Sequence, residues 1–345
     1  MENVNLVMPD EQDDFYEHHR IQVDRGQSLI RIDKFLFGKL GNVSRNKIQM
    51  AAKSGNILVN NKQEKSNYKV KPGDVISVLL PGPVKEFEII AENIPINIVY
   101  EDDDIIVINK DAGMVVHPGH GNYTGTLINA LAFYFQDNPD VLPALIHRID
   151  KDTSGILLVG KNELAQTILA KQFFEHSVNR KYFALVWGDM KMDAGTIEGS
   201  IGRNQTDRLQ MTVYPDNSQG KPAITHYKVI ERFGYVTLVE CTLETGRTHQ
   251  IRAHFKYIGH PLFNDEKYGG DKILKGTTFT KYKQFIINCF NILPRQALHA
   301  FLLEFKHPTT GKRMLFEAPL PNDFNKLIGK WREYARHKDT MNEYD

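Results

Sequence analysis

The sequence predicts an α+β protein of two domains: a small basic module of helices and short strands, then a larger body mixing strands with helices. Three observations carry that expectation. The chain has 345 residues, more than a single hydrophobic core usually serves. Its charge is unevenly spread. Residues 28–85 hold eleven Lys/Arg against three Asp/Glu, whereas residues 86–345 hold thirty against thirty-two. Finally, apolar residues recur at helical spacing near the start and as short continuous or alternating runs further on, most densely from Gly195.

Several classes are excluded early. No apolar run approaches membrane-spanning length. The start, MENVNLVMPDEQDDFYEHH, is acidic and lacks the apolar core of a signal peptide. Cys241 and Cys289 lie far apart without CxxC spacing, which suits a reducing compartment and neither a disulfide framework nor a zinc site. A cytoplasmic protein is expected.

Taken in order, residues 1–27 are acidic and aperiodic and read as a flexible N-terminus. Ile32, Phe35, Leu36 and Leu40 fall at helical spacing, and Gly41 ends that helix. Ser44 is placed to cap a second helix through Ala52. NILVNNKQEK and KVKPGDVISVLLP supply short strands and turns. Residues 28–82 form the basic module. PGPVKEFEIIAENIPI contains three prolines and reads as a linker over 83–95. The main body spans 96–325. It opens with a hairpin around the acidic turn Glu101–Asp104, where three adjacent carboxylates are turn residues rather than metal ligands, with no matching ligands nearby. GTLINALAFYF is a helix capped by Thr124 or Thr126. Asn162 caps another through Glu175, and RKYFALVWG is a strand. GTIEGSI, ITHYKVIERF and YVTLVECTL are further strands, GRTHQIRAHFKYIG a loop entering a helix, and PTTGK a hairpin turn. Residues 271–294 read as a peripheral insertion and 326–345 as a polar C-terminal tail.

The most informative stretch is ALIHRIDKDTSGILLVGKN. Two short apolar runs hold His147, Arg148, Asp150, Lys151 and Asp152 on a tight connection. A solvated hairpin with a surface ion pair is the plain reading of such a turn. The string HRID-KDTSG-ILL, however, resembles the HRLDxxTSGLLL signature of the RluA/RluD family of RNA pseudouridine synthases, with Ile149 for Leu. NKDAGMVVHP resembles the nKPaGlvvHp motif of that family, with Asp111 for Pro. HPLFNDEKYGG resembles GHPivGDxxYG, with Asn264 for Gly. RKYFALVWG and GRTHQIRAH complete the set. RIDKFL, SRNKIQ, GNILVN and VKPGDVI, in that order over Ser28–Leu80, resemble the S4 RNA-binding domain.

The resemblance implies a catalytic domain built on a long mixed, mostly antiparallel sheet beside a small S4-like α/β domain. It also implies the chemistry. Detaching uracil from C1′ and rejoining it through C5 leaves positive character on the sugar, which a carboxylate can meet as nucleophile or as sugar base. Asp150 would be that group. Tyr182 would stack on the flipped uracil, Arg252 would ion-pair with Asp150 and orient it, and Arg148 would hold the nucleotide out of its stack. Taken alone, a strand tyrosine is usually core and a helical arginine usually solvated; the ordered motifs shift that balance. His249 and His254 are five apart without a carboxylate between them, which does not match HExxH. His117, His147 and His299 read as structural. No metal and no cofactor is expected for a redox-neutral isomerisation.

Arg31, Lys34, Arg45, Lys47 and Lys53 of the basic module would contact RNA phosphates. The substrate implied is RNA, large-subunit (23S) ribosomal RNA or the pre-50S particle, with no membrane partner and a monomeric enzyme. A transfer RNA or dual-substrate synthase is the alternative, and a non-catalytic S4-type assembly factor a second.

Overall fold

The computed structural model describes residues 15–40, 43–81, 89–117, 124–138, 141, 143–204 and 210–342. The chain divides into two compact units, Met1–Glu88 and Ile89–Asp345.

In the first unit, β1 (Phe15–Gln22), α1 (Ile32–Lys39), α2 (Arg45–Lys53), β2 (Ile57–Val59), β3 (Lys62–Gln63) and β4 (Val75–Pro81) follow in order. The sheet runs β1-β4-β2-β3. Ser44 caps α2 as its position predicts, its hydroxyl accepting the Lys47 N–H at 3.4 Å. Ile32, Phe35 and Leu36 of α1 pack with Ile48 and Ala52 of α2 onto Ile57, Val59, Ile76 and Val78. The expectation of a flexible 1–27 is corrected in part. Residues 1–14 lie outside the described residues, but β1 pairs antiparallel with β4, Ile21 opposite Ile76. An edge strand is held by its backbone ladder, so it needs little apolar periodicity; Val23, just beyond it, is buried and Ile21 half-buried.

The second unit is built on β5 (Ile98–Glu101), β6 (Ile105–Lys110), β7 (Ala144–Leu145), β8 (Ser154–Gly160), β9 (Asn179–Trp187), β10 (Ala194–Arg203), β11 (Met211–Tyr214), β12 (Lys221–Arg232), β13 (Val236–Leu243), β14 (Leu298–Lys306) and β15 (Arg313–Glu317). Their order is β11-β10-β12-β13-β9-β14-β8-β6-β5, with β15 beside β14 and β7 beside β8. The pairing of β14 with β8 is parallel and the rest antiparallel, the mixed, mostly antiparallel sheet that the sequence implies. Side chains alternate between its faces. Tyr182, Ala184 and Val186 of β9 face α3 (Leu127–Tyr134) and α5 (Gln250–Tyr257). Leu185 and Trp187 face α6 (Thr280–Ile292) and α7 (Asn322–Asn342). Leu158 faces α4 (Glu163–Phe174), capped by Asn162. Thr126, not Thr124, caps α3, in a capping box with Asn129.

The parallel pair depends on Gly155. Its φ is +118°, and a Cβ there would run into the Ala300 carbonyl of β14. The glycine of the TSG triplet therefore lets β8 approach β14 directly after the charged turn.

Three boundaries differ from expectation. Residues 83–88 of the anticipated linker lie outside the described residues. From Ile89 the segment is stitched to α3: Asn129 Nδ2 donates to Ile90 O at 2.8 Å, and Glu92 N donates to Asn129 O at 3.0 Å. Residues 271–294 are no peripheral insertion, because Tyr282, Ile286 and Cys289 of α6 enter the core beside Trp187. Nor are residues 326–342 of the expected tail irregular, while 343–345 lie outside the described residues. Phe324, Leu327, Ile328 and Trp331 form a buried stripe along α7, at helical spacing that a boundary at 326 splits in two. Trp331→Ala is expected to cost about 3–5 kcal/mol, the scale for emptying a buried aromatic site. Urea unfolding checks this; a change below about 1 kcal/mol would mean that α7 docks only loosely.

Candidate active site

The connection between β7 and β8 carries Asp150 into a cleft of about 500 Å³. Lys110, at the end of β6, pins that connection from below. Its ammonium is 1% exposed and donates to the carbonyls of Lys151, Asp111 and Met114 at 3.0, 2.7 and 2.9 Å. Burial pulls its pKa down to about 8, opposed by Asp152 and Asp150.

Asp150 accepts a hydrogen bond from Arg252 Nη1 at 2.8 Å. The other edge of the same guanidinium donates to Asp265, Nε to Oδ2 at 2.7 Å and Nη2 to Oδ1 at 2.8 Å. Arg252 thus binds one carboxylate in fork geometry and offers its remaining nitrogen to the other. The Tyr268 ring lies 4.9 Å from the guanidinium. Burial alone would lower the Arg252 pKa, but Asp265 and then Asp150 outweigh it and hold it above the ordinary range.

Helix α5 delivers Arg252 through two devices. His249 takes a left-handed conformation, φ 54° and ψ 25°, just before the helix. Gln250 then locks the first turn: its Nε2 donates to Ile224 O and Thr225 Oγ1, and its Oε1 accepts from Thr245 Oγ1 and Arg247 N. The His249 ring shares a 2.9 Å hydrogen bond with the Tyr268 hydroxyl and brings Nε2 to 3.9 Å from Asp150.

Tyr182 rises from β9 into the same cleft and is buried; burial raises its pKa. Arg148 is exposed at the cleft margin. All four residues singled out in this unit, Asp150, Tyr182, Arg252 and Arg148, therefore border one cavity, although about a hundred residues separate the first from the third.

The five cations of the first unit divide differently. Lys34, Lys47 and Lys53 are exposed. Arg31 and Arg45 are committed to the buried Asp33, at 3.1 and 2.9 Å. Burial would raise the Asp33 carboxyl, but hydrogen bonds from Gln49, Arg31 and Arg45 prevail and hold it far below the usual range.

Comparisons with known proteins place the chain in a family. Residues 104–257 match the family model described as RNA pseudouridylate synthase, and residues 30–76 match the S4 domain. The chain is 46% identical over 317 residues to the "Uncharacterized RNA pseudouridine synthase YlyB" of Bacillus subtilis, covering 91% of this chain and 98% of that one. The chain belongs to the RNA pseudouridine synthase family. It is also 41% identical over 303 residues to "Ribosomal large subunit pseudouridine synthase D" of Neisseria meningitidis serogroup B, covering 88% of this chain and 79% of that one. The solved structure of Human RNA Pseudouridylate Synthase Domain Containing 4 shares the fold, with TM-score 0.53 at 24% identity, covering 68% of this chain and 93% of that one. The protein is an RNA pseudouridine synthase, an isomerase, with an S4 domain.

Sequence reasoning gave no part in this synthase's site to Asp265, Tyr268, His249, Lys110 or Arg180. Asp265 and Tyr268 sit inside NDEKYGG and Lys110 inside NKDAG, so the motifs contained the signal; only folding brings them to Asp150. Asn264, where the motif has Gly, adopts φ 55° and anchors its loop by donating to the Phe290 and Leu293 carbonyls. The acidic turn does have a neighbour: His307 Nε2 lies 3.0 Å from Asp102 Oδ2. Asp102 also accepts from Tyr100 and from the backbone of Asp104 and Ile105. The expectation of no matching ligands nearby is therefore corrected: Asp102, Asp104 and His307 bring their ligand atoms within 4.8 Å of one another.

Burial pulls the pKa values of His249, His254 and His299 down to about 4 from an ordinary 6.5. Above pH 6.5 they are neutral both folded and unfolded. Below it the unfolded chain binds protons that the folded chain refuses, so stability falls as pH drops from about 6.5 to about 4. The expected loss at pH 5 is about 1–2 kcal/mol per imidazole. Urea titrations at pH 7 and pH 5 test it, and equal midpoints would mean that these rings can be protonated in place.

Proposed function

We propose that this synthase isomerises specific uridines of large-subunit (23S) ribosomal RNA, with Asp150 as the nucleophile or sugar base. The observation that carries the chemical part is the Asp150–Arg252–Asp265 arrangement at the cleft. Arg252 is fixed by Asp265 before it meets Asp150, so the carboxylate is aimed without any substrate present. An ionised oxygen held this way can bond to C1′, or take the C2′ proton, as the glycosidic bond opens. Tyr182 supplies a ring against which the flipped base stacks, and its hydroxyl has no hydrogen-bond partner among the described residues that would hold it away. Arg148, exposed at the margin, occupies the place vacated by the flipped nucleotide. The ribosomal reading is supported by relatives named for that substrate that align over most of the chain. The enzyme acts as a cytoplasmic monomer on free 23S RNA or the pre-50S particle and requires no cofactor.

Asp150→Asn should lower turnover by at least about 10³-fold, the scale for losing an essential nucleophile or base, while RNA affinity stays within about twofold. Single-turnover assays on ribosomal RNA from cells lacking the enzyme measure both. Measurable turnover by pure Asp150→Asn protein would remove this residue from the chemistry.

The S4 domain supplies phosphate contacts and so affinity. Of the five cations, Lys34, Lys47 and Lys53 are exposed and available for this, while Arg31 and Arg45 contribute the charge left over from Asp33. Replacing the three lysines with alanine should flatten the log–log salt dependence of RNA binding by about two to three units, with the single-turnover rate at saturating RNA unchanged. Filter binding between low and moderate salt gives the slope; parallel slopes for wild type and variant would place the phosphate contacts elsewhere.

A further inference from the structure

Arg180 stands on β9 two residues before Tyr182, so both side chains leave the strand on the same face, and both line the cleft. It is 7% exposed. Other buried cations of this unit are compensated: Arg252 by two carboxylates, Lys110 by three carbonyls, and Arg295 by Asp323 at 3.0 Å. Among the described residues Arg180 has no carboxylate partner, and its buried Nε has no hydrogen-bond acceptor. Its guanidinium lies over the Phe173 ring, 5.4 Å from the ring centre. The space it occupies is kept by Gly246, where a Cβ would lie 2.6 Å from Arg180 Nη1. The glycine that opens GRTHQIRAH is thus part of this arrangement.

A cation desolvated without a partner is costly to fold and persists where a ligand completes it. The interior of the cleft, lined by Ile149, Tyr182, Leu243 and Leu298, suits a planar, partly apolar ring with oxygens at its edges. A backbone phosphate would stay at the rim, where Arg148 is exposed. We propose that Arg180 is a catalytic residue that donates hydrogen bonds to a carbonyl oxygen of the flipped uracil and stabilises the pyrimidine anion. The inference rests on the cleft being the uridine site. As C1′–N1 breaks, its electron pair stays on the uracil, spread over N1, O2 and O4. Asp150 meets the deficiency at C1′. When C5 rejoins C1′ that pair enters the new carbon–carbon bond, the carboxylate is released, the C5 proton leaves and N1 takes one up. Arg180 acts only on the charge that appears between the two bonds.

The test uses the full chain with Arg180→Met, Arg180→Lys and Gly246→Ala, acting on total RNA from cells lacking the enzyme, at the uridines that wild type modifies. Arg180→Met should slow the single-turnover rate at saturating RNA by about 100-fold or more, with half-saturation within about twofold. Arg180→Lys should recover part of the rate, and Gly246→Ala, which displaces the guanidinium without removing it, should lose rate as well. Because an uncompensated charge is being removed, the melting temperature of Arg180→Met should equal or exceed that of wild type. A raised half-saturation point with an unchanged saturating rate would make Arg180 a phosphate contact and overturn the proposal. So would a wild-type rate, or a lowered melting temperature with no rescue by lysine. An inactive Asp150→Asn beside a fully active Arg180→Met would leave the function above intact and remove this inference alone; an active Asp150→Asn would remove Asp150 from the chemistry and this inference with it.

Discussion

One guanidinium holds the site together. Arg252 is shared between Asp265, which is 1% exposed, and Asp150, whose side chain is 18% exposed. Two carboxylates against one arginine would be a poor way to gain stability, since desolvating each charge costs several kcal/mol and the attraction repays that only with good geometry. The geometry here is good on one side, a two-pronged fork to Asp265. That fork fixes the plane and rotation of Arg252, so the single bond left for Asp150 has one direction. Asp265 therefore acts through Arg252 and never needs to reach the cleft. Removing it would leave a buried cation bound by Asp150 alone, with nothing to set the angle between them.

Other local features of the catalytic unit can be understood as consequences. Arg252 reaches inward because α5 starts abruptly, and it starts abruptly because His249 bears a left-handed backbone while Gln250 satisfies the groups around the first turn. A non-glycine residue with positive φ is uncommon and costs energy. His249 offsets this through the Tyr268 hydroxyl and by placing its neutral ring at the edge of the site. Asp150 meets Arg252 because its connection is held at both ends, by the buried Lys110 ammonium and by the parallel join of β8 to β14 that Gly155 permits. Motifs scattered over more than 150 residues are thus parts of one mechanical arrangement.

This explains what the sequence revealed and what it withheld. Asp150, Tyr182 and Arg252 were legible because each lies within a contiguous string whose residues serve one local purpose. The caps at Ser44, Thr126 and Asn162 were legible because capping acts over three residues. Asp265 was not singled out, because its value depends on an arginine thirteen positions earlier that shares no strand or helix with it. The stripe of α7 and the buried face of α6 were hidden by the charged residues between their apolar positions, and β1 by its place at a sheet edge. Of the five cations assigned to RNA from charge alone, two proved to serve Asp33 as well, since a count of charges does not register a buried carboxylate that gathers them.

The same cleft contains two arginines in opposite circumstances. Arg252 is over-supplied with carboxylates in the free enzyme, and its charge is spent on holding Asp150. Arg180 is buried to a similar degree yet has no counter-charge among the described residues, and burial pulls its pKa down where that of Arg252 goes up. A fold selected only for stability would not keep both, because moving one carboxylate toward Arg180 would relieve the second at little expense to the first. The division makes sense if the reaction separates charge. The sugar becomes electron-poor on the side of the carboxylate, and the base becomes electron-rich on the side of the lone cation. On the proposed roles of Asp150 and Arg180, their positions match the two ends of the bond that breaks, and the unpartnered cation is relieved in the charge-separated state.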